Sequence, residues 1–177
     1  MITLAKTKAV FILTREIKMI EWYSNKKVGI FFDYVPEIKV REFHYNNLIS
    51  KEENEKRKRN IEKYPFELMN DIQVEIVDYK SDKEYRFLIS KNYRYDGASI
   101  PKLFFRIIGA NTDNRFLIAS MVHDVLCENH FYIDYNRKLS SEIFNALLEA
   151  SGVNPFKRWL MKNSVDNYQK LCHWKGG

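Results

Sequence analysis

The run Tyr95-Asp96-Gly97-Ala98-Ser99-Ile100-Pro101 separates a strand-rich first half of the chain from a helix-rich second half. Asp96-Gly97 is a turn dipeptide, because glycine tolerates positive φ and an aspartate side chain can bond the backbone two residues on. Ser99 is a suitable N-cap for a following helix, and Pro101 falls in its first turn, where no needed donor is lost. The stretch therefore predicts the junction between a sheet and a set of helices.

Alternation of apolar and polar residues predicts strands before this junction. Residues 72–76 and 85–89 alternate strictly, and a short polar turn at 81–83 separates them, a pattern typical of a β-hairpin. Residues 28–35 are a further strand candidate that Pro36 interrupts. Residues 8–14 form another short β-rich run. These segments indicate an antiparallel sheet.

Helical spacing of apolar residues follows the junction. Residues 115–128 are apolar on most sides, so this helix is expected at the centre of the core. Ser140 or Ser141 is expected to cap the next helix, and Asn154-Pro155 to open the last one. An apolar stripe in the last helix is predicted to pack in the core: Phe156, Trp159, Leu160, Tyr168, Leu171 and Cys172. The fold class is therefore α+β, one domain over residues 1–177, with an N-terminal antiparallel sheet followed by about four helices packed on it.

Composition limits the class of protein. The chain has 177 residues, 45% hydrophobic and 29% charged, which suits a folded domain and excludes an intrinsically disordered one. No apolar run approaches the roughly 20 residues of a membrane span, and no secretory signal is evident, so no membrane partner is expected. Cys127 and Cys172 lie in apolar helical patterns, as small buried thiols of a reducing compartment do. The net charge of +6 permits an acidic partner, including nucleic acid, without requiring one.

The segment Lys51–Lys63 is almost wholly charged, with Ile61 as its one apolar residue. We interpret it as an exposed helix or a mobile insertion. Its basic core is a candidate site for phosphate or an acidic protein face: Lys56, Arg57, Lys58 and Arg59. The alternative is plain solvated surface, since four glutamates accompany these four cations.

His123 and Asp124 are polar residues in the predicted central helix. Burying them without partners would cost roughly 1–3 kcal/mol each, and more for a charge. The fold must therefore supply groups that satisfy them.

The residues around the junction form an ordered pattern: Asp96-Gly97-Ala98-Ser99-Ile100-Pro101, then His123-Asp124-x-Leu126, then Arg137 before a helix. This pattern resembles the D-G-A-S-I-P … H-D-x-L … R signature of an uncharacterised small-domain family found widely in phages and prophages. The likeness covers residues 85–168, the family-like core, and leaves the first part of the chain unexplained.

The resemblance implies a mobile-element origin, a location in the cytoplasm of a host bacterial cell, and a shared polar cluster. It implies no activity. Family members often carry an aspartate one turn into the helix after the arginine, whereas this chain has Ser141 there, with Glu142 beside it. That departure counts against an inherited catalytic role.

Two interpretations of the polar cluster follow. In the first it is a structural network in which Asp96 holds His123 in one tautomer and Asp124 pairs with Arg137, with Ser99 at the helix start. In the second, Asp96, His123 and Asp124 are catalytic candidates, because histidine supplies a base near neutral pH and a carboxylate orients it. No metal site and no cofactor are predicted, since a third strong ligand is missing.

The functional hypotheses fall into different classes. The first is a phage- or prophage-encoded accessory protein that binds a host protein or ribonucleoprotein and blocks or modulates it, for instance as an inhibitor of a nucleic-acid defence complex such as a CRISPR effector. The second is a small hydrolase, with or without a divalent metal, that uses Asp96, His123 and Asp124. The third is a virion or tail component. The incomplete catalytic set favours a binding protein over an enzyme.

Overall fold

The computed structural model describes residues 19–97, 114–129 and 137–172. Within these ranges seven strands and four helices occur in the following order: β1 (Ile20–Ser24), β2 (Val28–Phe32), β3 (Ile38–Val40), α1 (Lys51–Lys63), β4 (Phe66–Leu68), β5 (Ile72–Asp78), β6 (Lys83–Ile89), β7 (Arg94–Tyr95), α2 (Asn114–Glu128), α3 (Arg137–Ala150) and α4 (Pro155–Cys172). The predicted strand at 8–14 and the predicted helix after Ile100 lie outside the described residues.

The strands form two antiparallel sheets. The larger has the order β1-β2-β5-β6, and the smaller has the order β3-β4-β7. The predicted hairpin of β5 and β6 is confirmed, although Lys83 belongs to the strand and the turn ends at Asp82, whose φ is 54°. The α+β class is therefore confirmed, with two sheets where one was expected.

The charged segment is a helix, α1, which is one of the two forms expected for it, and it stands between β3 and β4. Ser50 caps it, because the Ser50 hydroxyl accepts the backbone N–H of Glu53 at 3.1 Å.

The core combines both sheets with α2, α3 and α4. Helix α3 lies next to β1, where the Tyr23 hydroxyl donates a hydrogen bond of 2.5 Å to Glu149 Oε2. It also lies next to α2 and α4. The largest fully buried side chains include Phe32, Phe66, Tyr95, Phe116, Met121 and Phe144. Among the described residues, no helix is both long and apolar enough to cross a bilayer.

Of two expectations about the starts of the last two helices, one is wrong and one is confirmed. Neither Ser140 nor Ser141 caps α3, which begins at Arg137; both serines are buried inside it, and the Ser140 hydroxyl donates to the Arg137 carbonyl at 2.8 Å. Asn154 does open α4, since its Oδ1 accepts the N–H of Phe156 at 2.9 Å.

The apolar stripe predicted for α4 faces the core only in part: Leu160 packs against the core, and the side chains of Leu171 and Cys172 lie outside the described part of the chain. Phe156, Trp159 and Tyr168 are all more than half exposed. The buried face is formed by Met161, Val165 and Gln169, which are spaced four residues apart. Aromatic side chains elsewhere on the helix misled the prediction, because they carry more apolar area than the residues that are buried.

Candidate functional site

The predicted turn at Asp96-Gly97 falls at the edge of the described residues. β7 ends at Tyr95, and Gly97 has a φ of 84°, a conformation that side chains with a Cβ rarely adopt. Asp96 is exposed, and Gly97 is buried. Ser99, the predicted member of the structural network, lies outside the described residues.

His123 is buried in α2 and has neighbours at both ring nitrogens. Its Nδ1 lies 3.7 Å from Asp124 Oδ1, and its Nε2 lies 2.9 Å from Gln169 Nε2 on α4. The ring is tilted against Phe144 of α3 with a centroid distance of 5.1 Å. The imidazole is therefore held between three helices rather than presented to a cleft.

Gln169 is the residue that the sequence analysis missed. Its amide nitrogen also lies 2.7 Å from the Cys127 sulfur and 3.3 Å from Ser140 Oγ. Cys127 stands one turn after His123 on α2, and its sulfur is 3.7 Å from His123 Nε2. These four residues form one polar network among the apolar side chains of the core, which we call the Gln169 network.

Opposing effects set the charge of the His123–Asp124 pair. Burial lowers the pKa of His123, but its contacts with Asp124 and Cys127 outweigh burial and raise the pKa to about 9. Burial raises the pKa of Asp124 to about 6, and the hydrogen bond to His123 only partly offsets this. The contacts of His123 therefore favour its protonated form, and the burial of Asp124 favours the neutral acid.

The amide of Gln169 is suited to both charge states of His123. A neutral imidazole accepts at Nε2 from the amide nitrogen. An imidazolium instead donates from Nε2, and a half-turn of the amide presents its oxygen as the acceptor. In that orientation the amide oxygen also faces the Cys127 thiol, a weak donor. A single side chain on α4 therefore satisfies His123 across its titration.

Asp124 lies at the outer side of the network and close to two tyrosines. Its charge adds to the burial that raises the pKa of both Tyr93 and Tyr95. Asp96 acts at this place as well, since its charge contributes to the raised pKa of Asp124. The electrostatic effect of Asp96 on Asp124 indicates that the junction lies near α2, whereas the role of Asp96 in orienting His123 stays a prediction.

The two tyrosines differ in their partners. The Tyr93 hydroxyl donates to Glu128 Oε2 at 3.0 Å. The Tyr95 hydroxyl is buried, and no hydrogen-bond partner for it occurs in the described part of the chain. A pocket of about 370 Å³ opens beside Tyr93, between the end of β6 and the end of α2. Its lining contains no carboxylate and no imidazole: Leu88, Ile89, Ser90, Lys91, Asn92, Tyr93, Val125 and Asn129.

The predicted pairing of Arg137 with Asp124 is wrong. Arg137 forms an ion pair with Asp166 of α4 instead, and the Ser141 hydroxyl donates to the same Asp166 oxygen at 3.2 Å. Ser141 stands where the resemblance implied an aspartate, so the carboxylate near Arg137 is supplied by the neighbouring helix. Sequence spacing could not show this, because α3 and α4 meet only in the tertiary structure.

A metal centre finds no support in the geometry. Across residues 19–97, 114–129 and 137–172, no group of three or more His, Cys, Asp or Glu side chains is placed to hold a metal ion.

The basic candidates lie on α1, away from this network. Lys56, Arg57, Lys58 and Arg59 are all exposed. None of them makes an ion pair with another residue in the described ranges. Asn54 is the buried residue of this helix, and it binds residue Asn46 through two hydrogen bonds of 2.9 Å. A polar anchor rather than an apolar stripe therefore holds α1 on the molecule.

Comparison with known proteins places the second half of the chain in a family. A family model described as a protein of unknown function (DUF1353) matches residues 72–165, more than half of the chain. The chain belongs to this family. The DUF1353 region runs from β5 into α4 and includes Asp96, His123 and Arg137, while β1 to β4 and α1 precede it.

A similar protein is known in Sinorhizobium fredii (strain NBRC 101917 / NGR234), the uncharacterized protein y4jT. It is 35% identical to this chain over 63 residues, which are 36% of this chain and 17% of that protein. This chain therefore spans only a small part of the relative that it matches. No solved structure matches the chain.

Proposed function

We propose that this chain is a phage- or prophage-encoded accessory protein that acts in the cytoplasm of a bacterial host. It binds a host protein or ribonucleoprotein and blocks or modulates it. A nucleic-acid defence complex such as a CRISPR effector is one target of suitable chemistry, because its RNA and its phosphate-binding surfaces combine strong charges of both signs.

The observation that carries this proposal is the exposure of nearly all side chains of α1. This helix of 13 residues buries Asn54 and half-buries Ile61, and every other side chain on it is exposed. A helix that buries so little apolar surface adds little to the core, so its cations are free for an intermolecular role. α1 also lies outside the DUF1353 region, as an addition specific to one partner would.

Exposed apolar side chains lie next to the helix in the chain. Tyr45 and Leu48 are 57% and 93% exposed and immediately precede α1. Interfaces commonly combine an apolar centre with a charged rim. The segment from Tyr45 to Lys63 supplies both elements.

The Gln169 network supports the same proposal because it counts against catalysis by His123. A general base needs an unshared nitrogen within reach of substrate. Asp124 lies beside one nitrogen of His123 and Gln169 beside the other. His123 is therefore best explained as a core residue that joins α2 to α4.

The proposal is tested by capture from a host lysate. Wild-type protein and a variant with Lys56, Arg57, Lys58 and Arg59 changed to serine are immobilised side by side. The control variant changes four exposed cations on other surfaces to serine, namely Lys26, Lys80, Lys91 and Lys138. A stoichiometric host complex retained by wild type and control but lost from the α1 variant supports the proposal. Recovery of phage structural proteins would indicate the virion role instead, and equal recovery by all three proteins would contradict a role for α1.

A hydrolase remains the second candidate because of one observation. The buried Tyr95 hydroxyl, without a partner among the described residues, lies near the Asp124 carboxylate, and such an arrangement occurs where a ligand completes a site. His123→Ala separates the two functions. An enzyme loses its turnover of ester or phosphodiester substrates while it keeps its fold, whereas a structural residue loses stability by roughly 2–4 kcal/mol. Activity that disappears with an unchanged melting temperature would favour the hydrolase.

A further inference from the structure

The outer face of the smaller sheet carries a row of charges across all three strands. Glu67 on β4 stands directly opposite Lys39 on β3 and Arg94 on β7. Lys39 Nζ lies 2.9 Å from Glu67 Oε1, and Arg94 Nε lies 2.7 Å from Glu67 Oε2. Arg41 Nε joins them at 3.5 Å from Glu67 Oε2. Three cations thus surround one carboxylate, and the cluster has a net charge of +2.

This excess of positive charge is larger than the fold requires. The hydrogen bonds from Lys39 and Arg94 lower the pKa of Glu67, so the carboxylate stays ionised at neutral pH. One cation would neutralise it. The other two cations leave uncompensated charge on the surface, where the side chains of Lys39 and Arg94 are 46% and 48% exposed.

The three cations have different tasks. Arg41 is mostly buried and connects the sheet to α1, because its Nη1 donates to the Tyr64 carbonyl at 2.7 Å and its Nη2 to Asn60 Oδ1 at 3.2 Å. The Nε of Arg94 donates a hydrogen bond to Glu67 Oε2. Its two terminal nitrogens have no partner among the described residues, and they form the fork that matches two oxygens of a phosphate.

Helix α1 continues the positive surface. With 100° per residue, Lys56, Arg59 and Lys63 share one side of α1, opposite the side that carries Asn54 and Ile61. Asn60 lies about 40° from Lys56 at the edge of this side of the wheel and contacts Arg41. The basic side of α1 therefore borders the Glu67 cluster through Asn60 and Arg41.

The combined surface keeps a positive charge when its carboxylates are included. Six cations belong to it: Lys39, Arg41, Lys56, Arg59, Lys63 and Arg94. Three carboxylates accompany them: Glu52 on the same side of α1, Glu67, and Asp96, whose charge acts on Lys63. The net charge is +3 over two adjoining elements. We call these residues the basic track.

We propose that the basic track binds the sugar-phosphate backbone of single-stranded nucleic acid, with Lys39, Arg94 and the exposed side of α1 as the phosphate contacts. This inference rests on the proposed function and names the nucleic acid of a host ribonucleoprotein as the bound component. The spacing suits a linear polyanion, since the cations of α1 follow one another at roughly 4.5 and 6 Å along the helix axis. β3 and β7 are about 10 Å apart across β4.

An aromatic side chain favours an unpaired strand over an acidic protein. Tyr45 is 57% exposed and adjoins Asn46, which is bonded to Asn54 of α1. Proteins that bind single strands combine a basic path for the backbone with aromatic rings on which bases stack. An acidic peptide would use the cations but would gain little from this ring.

The test is fluorescence anisotropy with a labelled 20-nucleotide oligouridylate, measured from 50 mM to 500 mM salt. Each phosphate neutralised on a single strand contributes about 0.7 to the slope of log K against log salt. The α1 variant combines Lys56→Gln, Arg59→Gln and Lys63→Gln, and it is expected to lower the slope by about 2. Because all three side chains are exposed, this variant keeps its fold. The control variant carries an equal change of charge elsewhere, namely Lys26→Gln with Lys80→Gln and Lys91→Gln. This variant is expected to lower the slope far less.

A second variant probes the sheet part of the track. Lys39→Gln with Arg94→Gln leaves Arg41 as the partner of Glu67 and is expected to lower the slope by about 1.4 and the affinity at 50 mM salt at least about tenfold. The melting temperature of this double variant is measured as well. If the double variant unfolds, Glu67→Gln is used in its place. Glu67→Gln removes the central negative charge and is expected to tighten binding.

Three outcomes overturn the inference. The first is no binding of oligouridylate by wild type at 50 mM salt. The second is an equal loss in the control and α1 variants. The third is competition by polyglutamate as effective as that by unlabelled RNA. Nuclease treatment of the captured host complex separates this inference from the function proposed above. A partner that stays bound after nuclease, combined with no oligonucleotide binding, refutes the basic track as a nucleic-acid site but leaves the binding function in place.

Discussion

Arg137 at the start of α3 forms an ion pair with Asp166 of α4, and its side chain is only 9% exposed. This contact joins α3 to α4, with Arg137 inside the DUF1353 region and Asp166 one residue beyond its end. Asp166 also accepts the Ser141 hydroxyl at 3.2 Å. Arg137 therefore has a structural task in this chain, and Asp124 is left beside His123.

Arg137→Ala is expected to destabilise the protein by roughly 3 kcal/mol. Removal of the guanidinium leaves a half-buried Asp166 without its cation, and breaking a buried pair costs more than the pair itself contributes. The free energy of unfolding from urea titration measures the effect.

A matched control for this prediction is present on the same two helices. Lys162 of α4 pairs with Glu142 of α3 at 2.5 Å, but both side chains are about 30% exposed. Lys162→Ala is expected to cost less than about 1 kcal/mol, because water replaces the lost partner. Equal losses in the two variants would show that Arg137 is not a buried partner.

The His123–Asp124 pair predicts a pH dependence of stability. The pKa of His123 is raised to about 9 in the folded protein, above its usual 6.5. Its stabilising contribution is therefore fully present below pH 6.5 and is lost as pH rises through about 9. The loss amounts to roughly 3 kcal/mol, since each pKa unit corresponds to about 1.4 kcal/mol.

The measurement compares wild type with His123→Gln at several pH values. The difference in unfolding free energy between them is expected to shrink from pH 6.5 to pH 10, because only wild type carries the titrating imidazole. His44→Gln is the control, since His44 is on the surface with a side chain 82% exposed. A difference that stays constant over this range would mean that His123 is neutral in the folded protein.

Asp124 is expected to cause a second loss of stability with rising pH, at a lower pH than the loss caused by His123. Its folded pKa of about 6 lies above the ordinary value of 3.8, so the folded state favours the protonated acid. Stability is therefore expected to fall as pH rises from 4 through 6, and Asp124→Asn is expected to remove this fall. The pH profile of the melting temperature between pH 4 and pH 7 checks it.

The elements with long, strict periodicity could be read from the sequence. β5 alternates from Ile72 to Ile76, Tyr85, Phe87 and Ile89 recur at every second position of β6, and α2 is apolar on most sides. β4 and β7 have three and two residues, too few for any period to appear. The smaller sheet, with Glu67 and its three cations, was therefore missed.

The polar core could be predicted only in part. That His123 needs a partner follows from its position in an apolar helix, but the partner does not. Gln169 shares a buried face with Met161 and Val165, and an amide on such a face signals a satisfied polar contact. Its partner lies 46 residues away along the chain, on α2. Only the packing of α4 against α2 reveals the pair.

Asn54 is expected to determine the docking of α1. It is fully buried, its Nδ2 donates to the Asn46 and Ser50 carbonyls, and its Oδ1 accepts the Asn46 N–H. Asn54→Leu leaves the Asn46 groups without a partner, and we expect a loss of roughly 2 kcal/mol. Hydrogen exchange should show lost protection at residues 46–63 while β5 and β6 stay protected. Unchanged exchange there would show that other contacts hold the helix.

The cations of α1 are expected to matter for binding and not for folding. Changing Lys56, Arg57, Lys58 and Arg59 together to serine should leave the melting temperature nearly unchanged, because exposed substitutions move stability by about 0.5 kcal/mol or less each. Binding of the captured partner should weaken mainly at low ionic strength, since exposed charges are screened beyond roughly 8 Å at physiological salt. Surface plasmon resonance at 50 and 300 mM salt measures the binding affinity and its dependence on salt. The serine variant of Lys26, Lys80, Lys91 and Lys138 is the control. Unaltered affinity at 50 mM salt would make α1 a solvated surface and move the contact to the exposed aromatic residues of α4, Phe156 and Trp159.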